Sequence, residues 1–134
     1  MEISKIAPMS TQNYCIFCHL APEQIIAENA LCIAIRDGFP VSKGHTLIIP
    51  RRHVANYFDL TPVEIAAMQA LMLKIKSQID KDFHPDGYNI GINVNAAAGQ
   101  TIFHVHMHLI PRYTSDVDNP KGGVRGVIPD KQKY

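Results

Sequence analysis

The sequence predicts one α+β domain with a mainly antiparallel sheet and one long helix. Three observations predict it. Short apolar runs, each stopped by Gly, Pro, Asn or Asp, read as strands. A stretch between them, residues 61–82, repeats its apolar residues at helical spacing. The last run sets histidine at every second position, the period of an extended chain. With 134 residues, 46% of them hydrophobic, the chain can bury a core without disulfides or metal.

The elements follow in chain order. Residues 1–13 read as a flexible arm. Leu31 to Ile35 is a buried strand, ended by the turn signal Asp37-Gly38-Phe39-Pro40. His45 to Ile49 is the next strand, stopped by Pro50, and the short connection predicts an antiparallel pair. Thr61-Pro62-Val63-Glu64 starts a helix, with Thr as cap, Pro in the first position and Glu in the third. Ile65, Met68, Leu71, Met72, Ile75 and Ile79 form its apolar face. His84-Pro85-Asp86-Gly87 turns the chain. Tyr88 to Asn93 alternates as a strand, Asn95 to Gly99 is a loop of small residues, and Gln100 to Pro111 is the longest strand. The expected bounds are an arm at 1–13, a domain at 14–113 and an extended tail at 114–134.

Charge and cysteine usage narrow the function classes. The formal net charge is +1, so no global field draws the chain to nucleic acid or to an anionic membrane, and affinity for phosphate must be local. The sequence has no run long enough to span a bilayer and no signal-peptide pattern. Its three cysteines, an odd number, argue against a disulfide framework. A cytoplasmic, reducing location is expected.

The chemistry concentrates in His104-Val105-His106-Met107-His108-Leu109-Ile110. In an extended chain the three imidazoles share one face, roughly 6.6 Å apart, while Val105, Met107 and Leu109 turn to a core. Such a face is costly to desolvate without partners and points to a metal, an anion or acid–base and nucleophilic work near neutral pH. The loop before it, Asn93 to Thr101, is rich in small residues. Gly99 can expose its N–H in an anion nest, with Gln100 and Thr101 as further donors. Cys15-Ile16-Phe17-Cys18 has the spacing of half a zinc site, and His53 and His104 are candidates to complete it. A redox pair or two plain buried thiols are the alternatives. His45 can face the same site. Asp37 either accepts from a sugar hydroxyl or caps its own turn. His19 and His84 stand in no pattern.

These residues resemble the histidine triad (HIT) family. His104 to Ile110 matches the motif that names it, and Asp37, Gly44-His45, Leu47 to Pro50, Asn93 and Gly99-Gln100-Thr101 fall in family order. The resemblance implies a HIT-like fold, a half-barrel sheet with one long helix and a shorter one, in a homodimer. It implies a nucleotide hydrolase or transferase acting at the α-phosphorus of dinucleoside polyphosphates or AMP conjugates. A nucleotide-binding regulatory module with incidental catalysis is the second reading. His106 would be the nucleophile, and His108, the Gln100 side chain and the backbone N–H near Thr101 would meet the charge on phosphate. His45 and Asn93 would support that network, Asp37 would bind ribose, and Phe17 and Phe39 would wall the base pocket. The C-x-x-C resembles a bacterial zinc-containing branch, with one structural zinc per chain on Cys15, Cys18, His53 and His104. The chain has no tryptophan, which sets it apart from the phosphoramidase branch with its C-terminal tryptophan.

Overall fold

The two apolar runs before residue 50 pair as the turn between them predicts. The computed structural model describes residues 14–134, and the expected arm at 1–13 lies outside the described residues. Strand β2 (Cys32–Arg36) runs antiparallel to β3 (Thr46–Pro50), in register from Cys32 opposite Pro50 to Arg36 opposite Thr46. Gly44 makes their connection possible. Its φ is +89°, and a Cβ there would lie 3.2 Å from the Phe83 and Pro111 side chains. Strand β1 (Ile25–Glu28) adds to β2 through a bulge between Ile25 and Ala27. The sequence reading missed β1. It is a four-residue edge strand, half-buried only at alternate positions, so its apolar signal is weak.

Helix α1 (Pro62–Phe83) begins where its cap predicts. Thr61 accepts from the Glu64 N–H, and the Glu64 carboxylate returns to the Thr61 N–H at 2.9 Å. It ends at His84, which takes the left-handed conformation with φ 52°. Strands β4 (Gly87–Gly91) and β5 (Met107–Arg112) complete one antiparallel sheet in the order β1-β2-β3-β5-β4. Alternation then sorts side chains to two faces. Cys32, Ala34, Ile48, Val105, Met107 and Leu109 pack with Met68, Leu71, Ile75 and Ile79 of α1. Ile33, Ile35, Leu47 and Ile49 face the other way and pack with Cys15 and Phe17. One face is a helix-covered core. The other carries the candidate site.

Three expectations need correction. The long strand at 100–111 is a ladder only from Met107, where the register with β3 begins at Ile48. Pro50 has no N–H with which to extend the ladder, and its carbonyl is taken by a side chain, His104 Nε2 at 2.7 Å. The shorter helix appears among the described residues only as 3₁₀ turns of three to five residues. The tail is not extended throughout: Gly123–Val127 and Pro129–Lys131 form such turns, tied by Arg125 Nη2 donating to the Lys131 carbonyl at 2.8 Å.

Candidate active site and metal centre

The β5 ladder stops short of His104, and its two ring nitrogens, outside the sheet, meet different partners. Its Nε2–H donates to the Pro50 carbonyl, so Nδ1 keeps a lone pair. That lone pair faces Cys15 Sγ at 3.3 Å, Cys18 Sγ at 3.6 Å and His53 Nδ1 at 3.2 Å, and Cys18 Sγ lies 3.4 Å from His53 Nδ1. The four ligand atoms all fall within 4.8 Å of one another. A zinc with ordinary Zn–N and Zn–S bonds has tetrahedral edges of about 3.3–3.8 Å. The spacing fits. Burial, with the hydrogen bond and charge of neighbouring Cys15, pushes the Cys18 thiol up, and a divalent cation is what would favour the thiolate there. The sequence placed all four residues together, and the structure brings all four together.

The second imidazole, His106, lies at the wall of a cavity of about 580 Å³. Its Nδ1–H donates to the His104 carbonyl at 2.9 Å, which leaves Nε2 with a lone pair and no partner among the described residues. Phe17, buried beneath, sets its ring edge-on at 5.0 Å.

The third imidazole has the opposite polarity, and the reason can be followed proton by proton. The Val41 N–H donates to His45 Nδ1 at 3.1 Å, so His45 carries its proton on Nε2. That Nε2–H faces His108 Nδ1 at 3.0 Å, which makes His108 Nδ1 an acceptor and puts its proton on Nε2. Burial holds both rings below the ordinary histidine range, so they are neutral near pH 7. His106 thus offers a lone pair and His108 an N–H. Asp37 Oδ2 lies 3.4 Å from His45 Nε2 and 3.9 Å from His108 Nδ1. These three groups also converge closely enough for a metal, but Val41 holds the His45 proton on the nitrogen a metal would need.

The other expected residues divide. Asp37, Phe39, Asn93, Gly99, Gln100 and Thr101 line the cavity. Asp37 also caps its own turn, with Oδ1 accepting from the Phe39 N–H at 2.8 Å. His45 lies behind His108, 3% exposed, and supports it from there. Gln100 has both amide hydrogens engaged, on the Ala55 and Ile102 carbonyls, so that donating to a substrate would require this brace to open. The Gly99 N–H is not offered to an anion: it donates to the Ala96 carbonyl at 2.9 Å, as a 3₁₀ turn dictates. The Thr101 N–H has no partner among the described residues. His19, passed over in the sequence, lines the cavity, stacked on Tyr14 at 4.5 Å and bonded through Nδ1 to the Cys15 carbonyl. Its place directly after the C-x-x-C was the available signal. His84 is exposed at the helix end, as its lack of pattern implied.

Comparison with known proteins decides the family. The HIT domain model matches residues 19–115. The chain belongs to the HIT family. Among relatives of this HIT protein is an adenylylsulfatase of Arabidopsis thaliana, 38% identical over 116 residues that make up 84% of this chain and 59% of that protein. A zinc-bound histidine triad protein of Mycobacterium smegmatis is 38% identical with a TM-score of 0.71, covering 78% of each chain. A diadenosine triphosphate hydrolase of Plasmodium falciparum, solved with cyclomarin A, is 25% identical with a TM-score of 0.69, over 75% of this chain and 68% of its own. The HIT family therefore includes hydrolases of nucleotides, and a zinc-bound member shares this fold. No helix among the described residues of this HIT protein is long and apolar enough to cross a membrane.

Proposed function

We propose that the protein is a homodimeric hydrolase that binds a nucleotide and cleaves it at the α-phosphorus, with His106 as nucleophile. The observation that carries this is the opposed state of two neighbouring imidazoles at one cavity, the bare Nε2 of His106 beside the Nε2–H of His108. The first can attack phosphorus. The second can meet the charge that grows on the phosphoryl oxygens. His106 Nε2 bonds to phosphorus as the bond to the leaving group breaks, giving a nucleotidyl-histidine, and water then cleaves the P–N bond and restores the ring. The Thr101 N–H is the second donor, and Gln100 holds the loop that presents it. Asp37 takes the ribose, with Phe17 and Phe39 against the base. His108 and Asn93 also line a second cavity of about 460 Å³, which gives the other half of a conjugate a place to lie. Dinucleoside polyphosphates and AMP conjugates are the substrates to try.

Cys15, Cys18, His53 and His104 would hold one zinc in a closed four-ligand site, where it supplies structure and no open position for chemistry. The domain spans residues 14–113, with a separate tail at 114–134.

The decisive experiment is His106→Ala. Turnover of diadenosine tetraphosphate should fall by at least about 10³-fold while AMP still binds. Undiminished turnover in this variant overturns the assignment. Background rates in the unmodified protein, with AMP bound, would leave a binding module in its place.

A further inference from the structure

His104 belongs to the metal cluster and, through its carbonyl, holds His106 at the cleft wall, and the sheet does not hold the residue that matters most. The ladder of β5 starts at Met107, one position after His106, so the segment from 100 to 106 has no strand partner among the described residues. It is held instead from one side. Val105 N–H donates to the Val54 carbonyl at 2.7 Å, Gln100 Nε2 to the Ala55 carbonyl at 2.8 Å, and His104 Nε2 to the Pro50 carbonyl at 2.7 Å. All of these reach into residues 50–55, and His53, a member of the cluster, sits in that same segment. The fourth tie is the cluster itself, at His104 Nδ1.

We infer that Cys15, Cys18, His53 and His104 hold their metal as a clamp that aims the nucleophile. The route is short. The cluster fixes the His104 ring, the ring and the Pro50 carbonyl fix the His104 main chain, and the His104 carbonyl fixes His106 through its Nδ1–H. A rotation of that one peptide turns His106 Nε2 away from its line of attack. The helix-covered core contains none of the four ligands, and only Cys15 enters the smaller cluster on the site face, so the fold has its main support elsewhere. Loss of metal is then felt at His106 before it is felt in the sheet. The inference rests on the proposed role of His106 as nucleophile, but its first readout does not.

The test uses the full chain stripped of metal with a chelator, together with the variants Cys18→Ser and His53→Asn. Zinc content, the ring N–H resonance of His106 (assigned by its loss in His106→Ala), amide exchange, and kcat and KM for diadenosine tetraphosphate are measured on each. The expected result is a ring resonance broadened or lost while amides of β2, β3 and α1 stay protected. With it, kcat falls about 10- to 100-fold, the usual cost of disturbing the groups that orient a reacting residue. KM changes by a smaller factor than kcat, because Asp37 and Phe39 lie away from the cluster and only Phe17, between Cys15 and Cys18, moves with it. Adding zinc to the stripped protein, or using the variant Cys18→His, which keeps a donor at that corner, should recover resonance and rate together. A folded, metal-free protein with a sharp His106 ring resonance or an unchanged kcat overturns the clamp. So does global loss of amide protection in both variants, because the metal would then be a staple of the whole fold. Undiminished turnover by His106→Ala would instead strike the proposed nucleophile, and the ring resonance would still judge the clamp.

Discussion

At the scale of single residues, the protein works by fixing where protons sit. Val41, through its N–H, decides the tautomer of His45, and His45 decides that of His108. Both rings are held below the ordinary histidine range, first by burial, with the Asp37 charge opposing it at each. The unfolded chain therefore takes up protons that the folded one refuses. Stability should be full above about pH 7 and should fall as pH drops through about 6.5, the unfolded histidine value, towards the lower folded values. Denaturant midpoints measured from pH 7.5 down to 5.5 check this. A flat profile, or a rise on acidification, would show that these rings are not held neutral. Little of this relay was legible in the sequence. The period-two pattern revealed the three histidines, and His45 was a candidate by its position at the start of a strand. The proton direction was not legible, because it depends on a main-chain N–H at Val41 that no side-chain pattern encodes. Gln100 and Gly99 show the same limit: their types suit anion binding, but a 3₁₀ turn and two backbone carbonyls had already used their hydrogens.

At the scale of elements, α1 was the most legible part of the chain, because cap, apolar period and terminator agree. Its N-terminus also reaches the metal segment. Glu64 accepts from Arg52 at 2.9 and 2.7 Å, next to His53, and that hydrogen bond first, with the Thr61 N–H second, pushes its carboxyl down to about 2. Glu64→Gln should cost roughly 1–2 kcal/mol, the worth of a cap with a charge-assisted bond. The native contribution is present above the unfolded glutamate value of about 4.5 and is lost as pH falls through about 2, so wild type and variant should converge only in strong acid. Convergence already at pH 6 would mean that the pair contributes nothing. Ile75, fully buried on the core face, should cost about 2–5 kcal/mol as Ile75→Ala. The histidine segment was the least legible element. Alternating apolar and polar residues report an extended chain, and they correctly sent Val105, Met107 and Leu109 to the core, but they do not report whether the extended chain has a neighbour. Here the neighbour runs out at Pro50.

At the scale of the whole molecule, the sheet order leaves β1 and β4 as edges among the described residues, and an unpaired edge with apolar side chains is a surface that invites a partner. The two edges are not alike. Strand β1 is short and bulged, which blunts it. Strand β4 is regular and lies beside α1, with Tyr88 Oη donating to Asp80 at 2.7 Å across the junction. Ile90 on β4 is 48% exposed and Leu73 on α1 is 61% exposed, apolar residues on the two elements that this junction joins. A homodimer through β4 and α1 would bury both. It would also put the second cavity, which includes Ile90 and Gly91, close to the partner chain. Sedimentation equilibrium should accordingly give twice the 14.9 kDa of one chain. Ile90→Glu should shift the population towards monomer, because a carboxylate in a dry interface has no counter-ion. A wild-type mass of one chain at micromolar concentration would remove the dimer from the proposal, and the cleft would then have to complete its leaving-group side with its own tail.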